Sequence, residues 1–246
     1  MLAYIGKLTW NEFKARIVTL ILTFIVSSLV GWMFGSHVAR AVTEQQIGST
    51  DWLQLISPLD FVLLALLPWL GSQTFTKEYM FWSTGFDEPY LKRLRFYRMW
   101  AIPTDVIAWS RVLHMLICFA VAMIGFCSMF LFASLPDLGN LWSAGDYAVF
   151  LMLWIGFALI FNALNPYLEF GFSGKAVLLY SLVFVISLFA IIAWATYALQ
   201  QPIYSWTIAA SADHPWLGPA VLAIGAGNVL LIQRLLARRL TRKGLA

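Results

Sequence analysis

Residues 77–111, KEYMFWSTGFDEPYLKRLRFYRMWAIPTDVIAWSR, are the one long polar interruption between apolar runs and carry the densest positive charge in the chain. Four cations, Lys92, Arg93, Arg95 and Arg98, fall within seven residues and are interleaved with aliphatic and aromatic side chains. Lys and Arg that reach anionic phosphates, with Trp and Tyr at headgroup depth, are typical of a lipid–water interface. The stretch therefore indicates a segment held at a membrane face.

The composition of the whole chain agrees with this reading. Its 246 residues are 61% hydrophobic and 11% charged, and the mean hydropathy is +0.78. Soluble proteins are roughly 45–50% apolar and about 25% charged. The composition predicts an all-α, polytopic integral membrane protein. The net charge of +4 is explained by basic loops between spans, so we expect no nucleic-acid partner.

Six apolar segments approach or reach the roughly 20 residues that a helix needs to cross a bilayer. The predicted spans are residues 17–37, 55–76, 107–135, 146–164, 176–199 and 216–236. Residues 1–16 share an apolar arc at helical spacing and predict an interfacial helix, with a basic lead-in to the first span as the alternative. We expect residues 1–246 to form a single transmembrane domain with short outer loops at 38–54, 136–145 and 200–215.

The distribution of cations predicts the orientation in the membrane. With the N-terminus inside, fifteen of the sixteen Lys and Arg lie on or near the cytoplasmic side, and only Arg40 falls outside. The positive-inside rule therefore predicts a multi-pass cell-membrane protein with both termini in the cytoplasm.

Small residues and prolines mark special places within the predicted spans. Ser27, Gly31 and Gly35 repeat at four-residue spacing, which lets another helix approach closely. This stripe is either a subunit interface or the ordinary glycine content of membrane helices. Pro68, near the middle of the second span, predicts a kink because proline removes a backbone donor.

Asp60, Arg111 and His114 are ionisable residues that lie inside predicted spans, within about two turns of their ends. Ionisable groups deep in the hydrocarbon mark ion pathways and proton relays. Because these three lie within reach of the headgroups, we expect their side chains to snorkel to the membrane surface. A role in transport is the alternative for each.

The sequence offers no pattern for catalysis. It has no HExxH, no GxSxG and no cysteine–histidine pairing at ligand spacing. Cys118 and Cys127 are too far apart along one helix for a disulfide and are expected to be free thiols. Residues 171–175, GFSGK, lack the spacing and the Ser/Thr of a phosphate-binding loop. We therefore expect no enzyme activity and no catalytic, metal or cofactor site in this chain.

A motif runs through the polar segment into the third span. Its residues are Glu78, Leu94, Ala101-Ile102-Pro103, Val106-Ile107 and Ser110-Arg111. With the predicted topology, this motif resembles the membrane subunit of ABC-2-type exporters. The resemblance implies a permease that forms the translocation path and pairs with a separate cytoplasmic ATP-binding subunit, which carries the ATP and Mg. It also implies dimerisation with a second copy or a homologous permease.

In that family the segment between spans two and three is the coupling segment that docks on the ATP-binding subunit. The resemblance implies this role for a set of residues here: Asp87, Lys92, Arg93, Leu94, Arg95, Arg98 and Pro103. The local sequence agrees, because Asp87 suits an N-cap, Pro89 suits the first turn of a helix, and residues 103–105 suit a stop and a fresh start.

Two alternatives to this reading remain open. In the first, the polar segment is only a basic stretch that binds lipid headgroups. In the second, the chain is a non-transporting membrane scaffold or sensor subunit. The substrate cannot be inferred from apolar and aromatic spans of this kind.

Overall fold

The described part of the chain is helical apart from short turns. The computed structural model describes residues 5–6, 8–10, 14, 17–43, 58–70, 96–97, 99, 102–139, 141–172 and 174–243. Within these ranges no residue forms a strand. The helices are α1 Ile17–Thr43, α2 Pro58–Phe61, the π-helical turn π1 Val62–Leu66, α3 Leu67–Leu70, α4 Thr104–Leu138, α5 Ala144–Asn162, α6 Leu164–Gly171, α7 Gly174–Leu199, α8 Ile203–Asp213 and α9 Leu217–Lys243.

Five helical stretches are long and apolar enough to cross a membrane: α1, α4, α5 continuing into α6, α7 and α9. Many of their large apolar side chains are exposed, most densely along α1 and α7. Side chains of this kind are placed at low cost only against lipid or other protein. The chain is therefore an all-helical, multi-pass membrane protein. In the second predicted span, the described apolar helix runs over Leu59–Trp69 and is shorter than the other five.

The predicted outer loop at 200–215 contains an eleven-residue helix, α8. This helix is too short to cross a bilayer, so it lies within the connection between the long helices α7 and α9. The structure shows that the N-terminus of α8 is stabilised by a side chain from the distant second span. Local sequence does not reveal such a partner.

The stripe of small residues on α1 faces α4 of the same chain. A Cβ atom added at Gly31 would lie only 2.2 Å from the carbonyl oxygen of Phe126, and one added at Gly35 would lie 2.6 Å from that of Phe130. The backbones of α1 and α4 are thus in direct contact at both glycines. The subunit-interface interpretation of this stripe is wrong, because the stripe is buried inside the chain.

A second close helix pair joins α5 and α9. A Cβ added at Gly156 would lie 2.6 Å from the backbone nitrogen of Leu222, and one added at Gly218 would lie 2.6 Å from the carbonyl oxygen of Val149. Near the other end of the pair, the Asn228 side chain donates to the carbonyl oxygen of Ile160 at 2.8 Å. These contacts fix the position of α9 along α5.

Aromatic rings join the two helix pairs into one core. The ring of Phe34 on α1 lies 5.7 Å from that of Phe130 on α4, and Phe130 lies 5.7 Å from Phe150 on α5. Trp154 continues the stack one turn further along α5. All four side chains are buried. Offset aromatic contacts of this kind add to the packing energy of their buried area, so α1, α4 and α5 form a tightly packed frame.

Pro68 follows the π-helical turn instead of breaking a regular helix. The Leu67 N–H donates to the carbonyl oxygen of Val62, five residues earlier. A proline ring collides with the carbonyl four residues before it, here that of Leu64, and cannot donate to it. The wider turn is a common way to accommodate such an interruption, so the predicted irregularity takes the form of a π turn.

Candidate functional site at the basic end of the bundle

One end of the bundle, termed here the basic end, gathers the described residues of the N-terminal segment, of 96–111 and of 164–175, together with the C-terminal turns of α9. Its described cations are Lys14, Arg111, Lys175, Arg234, Arg238, Arg239, Arg242 and Lys243, and its described carboxylates are Asp105 and Glu169. The opposite end holds Arg40, Asp60, Asp137, Asp146 and Asp213. The charge asymmetry predicted from the sequence thus corresponds to two ends of the folded chain.

Of the predicted coupling residues, only Pro103 lies within the described part of the chain. Asp87, Lys92, Arg93, Leu94, Arg95 and Arg98 lie outside the described residues. Pro103 is the residue before α4, and its carbonyl oxygen accepts from the N–H groups of Val106 and Ile107 at 3.0 and 3.2 Å. Asp105 in the first turn complements the positive end of the helix dipole. The predicted fresh start after Pro103 is therefore confirmed, three residues before the predicted span.

Among the described residues of the polar segment that precede α4 (96, 97, 99, 102 and 103), Tyr97 is the buried one. It is 7% exposed and belongs to an apolar group, termed here the Tyr97 cluster, that includes residues of α4, α6 and α9. The cluster consists of Tyr97, Ile107, Ala108, Phe170, Leu236, Ala237 and Leu240. Leu8, Ile102 and Tyr167 pack against it. Tyr97 of the polar segment thus lies in one buried cluster with residues from the ends of three helices.

Neighbouring side chains of the same segment point away from the cluster. Phe96 is 50% exposed and Met99 is 77% exposed. One residue of this short stretch is therefore buried in the bundle, while large apolar groups on either side of it face outward.

The N-terminal segment meets the same end of the bundle. Its described residues between positions 5 and 14 are helical, and the Thr9 hydroxyl donates to the carbonyl oxygen of Ile5 at 2.8 Å. The same hydroxyl lies 3.5 Å from the carbonyl oxygen of Ser110 on α4. The predicted helix of residues 1–16 is therefore helical where the structure describes it, and its position on a membrane surface stays a prediction.

A buried ion pair joins α4 to α6. The Arg111 guanidinium donates from Nε to Oε2 of Glu169 at 2.6 Å, and its Nη2 lies 2.6 Å from the same oxygen. The two side chains are 4% and 7% exposed. Removing one partner of a buried pair leaves an uncompensated charge, which is strongly destabilising. The pair therefore fixes α6 against α4.

The snorkelling predicted for Arg111 and His114 is wrong. Both side chains are buried within the protein, and His114 Nε2 lies 3.9 Å from the Sγ of Cys118 on the next turn. Position near a helix end suggested a path to the surface, but α6 covers this part of α4 and supplies Glu169 as a counter-ion. Glu169 was not selected from the sequence. The sequence did offer one signal, because Glu169 is the one carboxylate in the short connection 162–175, which also contains one lysine.

Arg239 holds the last helix to α6 and to Phe172, the residue that follows α6. Its Nη1 donates to the Tyr167 hydroxyl at 2.8 Å. Its guanidinium carbon lies 5.1 Å from the centre of the Tyr167 ring and 4.1 Å from that of Phe172. Cation–π contacts at partly buried sites add roughly 0.5–2 kcal/mol. Arg239 and the Arg111–Glu169 pair thus connect α4, α6 and α9 around the Tyr97 cluster.

At the opposite end, Asp60 is also buried and does not snorkel, so that prediction is wrong. Its carboxylate oxygens accept from the backbone N–H groups of Ile203 and Tyr204 at 3.0 and 2.8 Å. These are the first donors of α8, and Pro202 before them has no side-chain acceptor. Asp60 therefore acts as the N-cap of α8 from the second span. Burial, followed by the Asp60 charge, raises the pKa of the Tyr204 hydroxyl.

The chemistry of the described residues is that of contacts between helices. No group of three His, Cys, Asp or Glu residues that could hold a metal ion occurs among them. Cys118 and Cys127 are free thiols. The basic end combines a buried ion pair, an apolar cluster and exposed cations, which suits mechanical connection and docking. No family model, curated protein or solved structure matches this chain.

Proposed function

We propose that this chain is the permease subunit of an ATP-driven exporter of the ABC-2 type. It forms the translocation path with a second copy or a homologous permease, and it docks through residues 77–106 on a separate cytoplasmic ATP-binding subunit. Both termini lie in the cytoplasm, and the substrate moves outward across the cell membrane.

The described residues nearest to the two termini meet at the basic end, and this supports six crossings. Leu8 from the N-terminal segment packs against the cluster that contains Leu236 and Leu240 of α9. Termini on the same side of a membrane require an even number of crossings. Five helices have the required length, and the apolar segment around Leu59–Trp69 supplies the sixth within the predicted span 55–76.

The burial of Tyr97 is the observation that carries the coupling role. A segment that transmits force needs a rigid attachment to the spans that it moves. Tyr97 belongs to one buried cluster with Ile107 of α4, Phe170 of α6 and Leu236 of α9. Because protein interiors are close-packed and transmit strain, a displacement of this segment acts on three helices together.

The exposed groups beside Tyr97 support a docking role for the same segment. Phe96 and Met99 present apolar surface, and Lys92, Arg93, Arg95 and Arg98 add positive charge nearby in the sequence. Apolar anchors with a charged rim are typical of protein interfaces. The segment therefore suits docking on an ATP-binding subunit whose surface has an apolar groove with an acidic rim.

Co-purification from the native membrane tests this proposal. We expect the tagged wild-type chain to bring down a subunit with a phosphate-binding loop and ATPase activity, and the chain purified alone to hydrolyse no ATP. The reversal Arg93→Glu/Arg95→Glu should abolish both the association and the recovered activity, because it opposes an acidic partner surface. Arg40→Glu, at the opposite end, should leave both unchanged.

Correct insertion is checked for each variant by protease protection. An ATPase that stays bound to the inserted double reversal would favour a lipid-anchoring role for residues 77–106. Purification of the intact wild-type complex without any ATP-binding subunit would favour a scaffold or sensor.

A further inference from the structure

The exposed face of α9 changes from apolar to cationic along its length. Leu231 and Leu235 are exposed, and so are Arg234, Arg238 and Arg242. At about 100° per residue these five positions share one arc of the helix surface. The three arginines, termed here the α9 arginine stripe, thus continue the line of the apolar side chains.

The length of α9 places this change at the membrane surface. Its 27 residues extend about 40 Å at 1.5 Å per residue, whereas the hydrocarbon core is about 30 Å thick. The last turns therefore leave the hydrocarbon, and Arg238 and Arg242 lie at headgroup depth. Arg234 lies one turn earlier, where a long side chain reaches the same level.

The stripe has excess positive charge around it. At the basic end, the described carboxylates are Asp105 and Glu169, and Glu169 is paired with Arg111 in the interior. Arg239, on the neighbouring side of α9, holds the helix against Tyr167 and Phe172. The orientation of the stripe toward its surroundings is thus fixed by packing.

We propose that the α9 arginine stripe binds the phosphate groups of anionic phospholipids in the cytoplasmic leaflet. Its continuity with the lipid-facing side chains Leu231 and Leu235 identifies lipid as the occupant, because an acyl chain on that face brings its headgroup to the arginines. Guanidinium groups bind phosphate by paired hydrogen bonds. The assignment of this leaflet to the cytoplasm rests on the topology proposed above, whereas binding at the stripe does not depend on the transport function.

The phospholipids that stay bound to the purified chain report directly on binding at the α9 arginine stripe. The purified chain is placed in nanodiscs of phosphatidylcholine mixed with phosphatidylglycerol, and the ratio of the two lipids retained after extraction is determined by native mass spectrometry. We expect enrichment of phosphatidylglycerol on the wild type. Arg238→Gln/Arg242→Gln should reduce that enrichment roughly tenfold or more, since each cation near an anionic surface contributes about fivefold.

Two matched variants separate the stripe from general effects. Arg238→Lys/Arg242→Lys keeps the charge and should retain most of the enrichment, which also controls for folding. Lys14→Gln/Lys175→Gln removes two exposed cations from the same end and should reduce the enrichment clearly less than Arg238→Gln/Arg242→Gln, because neither lysine lies on the arc of α9 that carries Leu231 and Leu235. Raising the ionic strength should weaken the wild-type enrichment.

Two results would overturn the proposal. One is equal enrichment on the wild type and Arg238→Gln/Arg242→Gln. The other is an equal loss in Lys14→Gln/Lys175→Gln, which would indicate diffuse attraction to the whole basic end.

Discussion

Arg111 and Glu169 carry charges in a part of the bundle that excludes water. Their pairing at 2.6 Å offsets a desolvation cost that neither side chain could bear alone. The pair holds α6 beneath α4 and so supports the cluster that contains Tyr97. The pair matters because it positions α6 against α4. Its contribution to stability is less distinctive, since a hydrophobic pair of similar volume often gives equal stability.

Breaking this pair from one side should destabilise the fold. Glu169→Gln removes the carboxylate charge that pairs with the buried Arg111 guanidinium, and we expect a loss of about 3–5 kcal/mol in the free energy of unfolding. Asp105→Asn, which neutralises an exposed carboxylate at the same end, should have little effect. Thermal unfolding in one detergent compares the two variants. Equal melting temperatures for Glu169→Gln and the wild type would contradict the buried pair.

Asp60 is expected to stabilise α8 as a remote N-cap. Asp60→Ala removes the acceptor for the N–H groups of Ile203 and Tyr204 and should cost about 0.5–2 kcal/mol. Asp60→Asn keeps a side-chain acceptor and should lose less. Hydrogen exchange at the first turn of α8 reports the change. Protection that survives in Asp60→Ala would show that the cap is not needed.

At the scale of helices, close backbone contact decides how α1 and α4 pack. Gly31→Ala places a Cβ against the Phe126 carbonyl group, so the helices must separate, with an expected cost of about 1–3 kcal/mol. Gly227→Ala is the matched control, because a Cβ there meets no atom within 4 Å. Melting temperatures of the two variants are compared with that of the wild type. A lower value for Gly227→Ala than for Gly31→Ala would contradict this packing.

The helices could be predicted where length and apolar composition suffice. Each of the predicted spans 107–135, 146–164 and 176–199 overlaps a helix closely, because roughly 20 apolar residues have few other stable forms in lipid. Helix α8 could not be predicted, since its cap comes from Asp60, 143 residues earlier. The π turn before Pro68 was predicted only as a kink. A proline indicates that the helix is disrupted, but it does not indicate the geometry of the disruption.

The candidate site was predictable only in part, because local composition does not reveal contacts between distant residues. Local composition located the polar segment and the start of α4 after Pro103. It did not reveal that Arg111 meets Glu169, or that Tyr97 is buried among residues of three helices. Those contacts join distant parts of the chain. A cation that snorkels to the membrane surface and a cation that pairs with a distant carboxylate can have the same local sequence.

For the whole molecule, the proposed topology makes a simple prediction. Reporter fusions at Met1 and Ala246 should be inactive for alkaline phosphatase, and a fusion at Gly139, after α4, should be active. The reason is the concentration of Lys and Arg at the end of the bundle where both termini lie. Green fluorescent protein fusions at the same sites should give the reverse pattern. Phosphatase activity at either terminus would contradict six crossings.

The central claim is that the segment around Tyr97 docks on an ATP-binding subunit, and site-directed photocrosslinking tests it most directly. A benzoylphenylalanine placed at Phe96 or Met99, both exposed beside Tyr97, should form a crosslink to a protein with a phosphate-binding loop in native membranes. The same group at Ile224, exposed on the lipid-facing side of α9, should form none. Crosslinks from Phe96 and Met99 to lipid alone would contradict the claim.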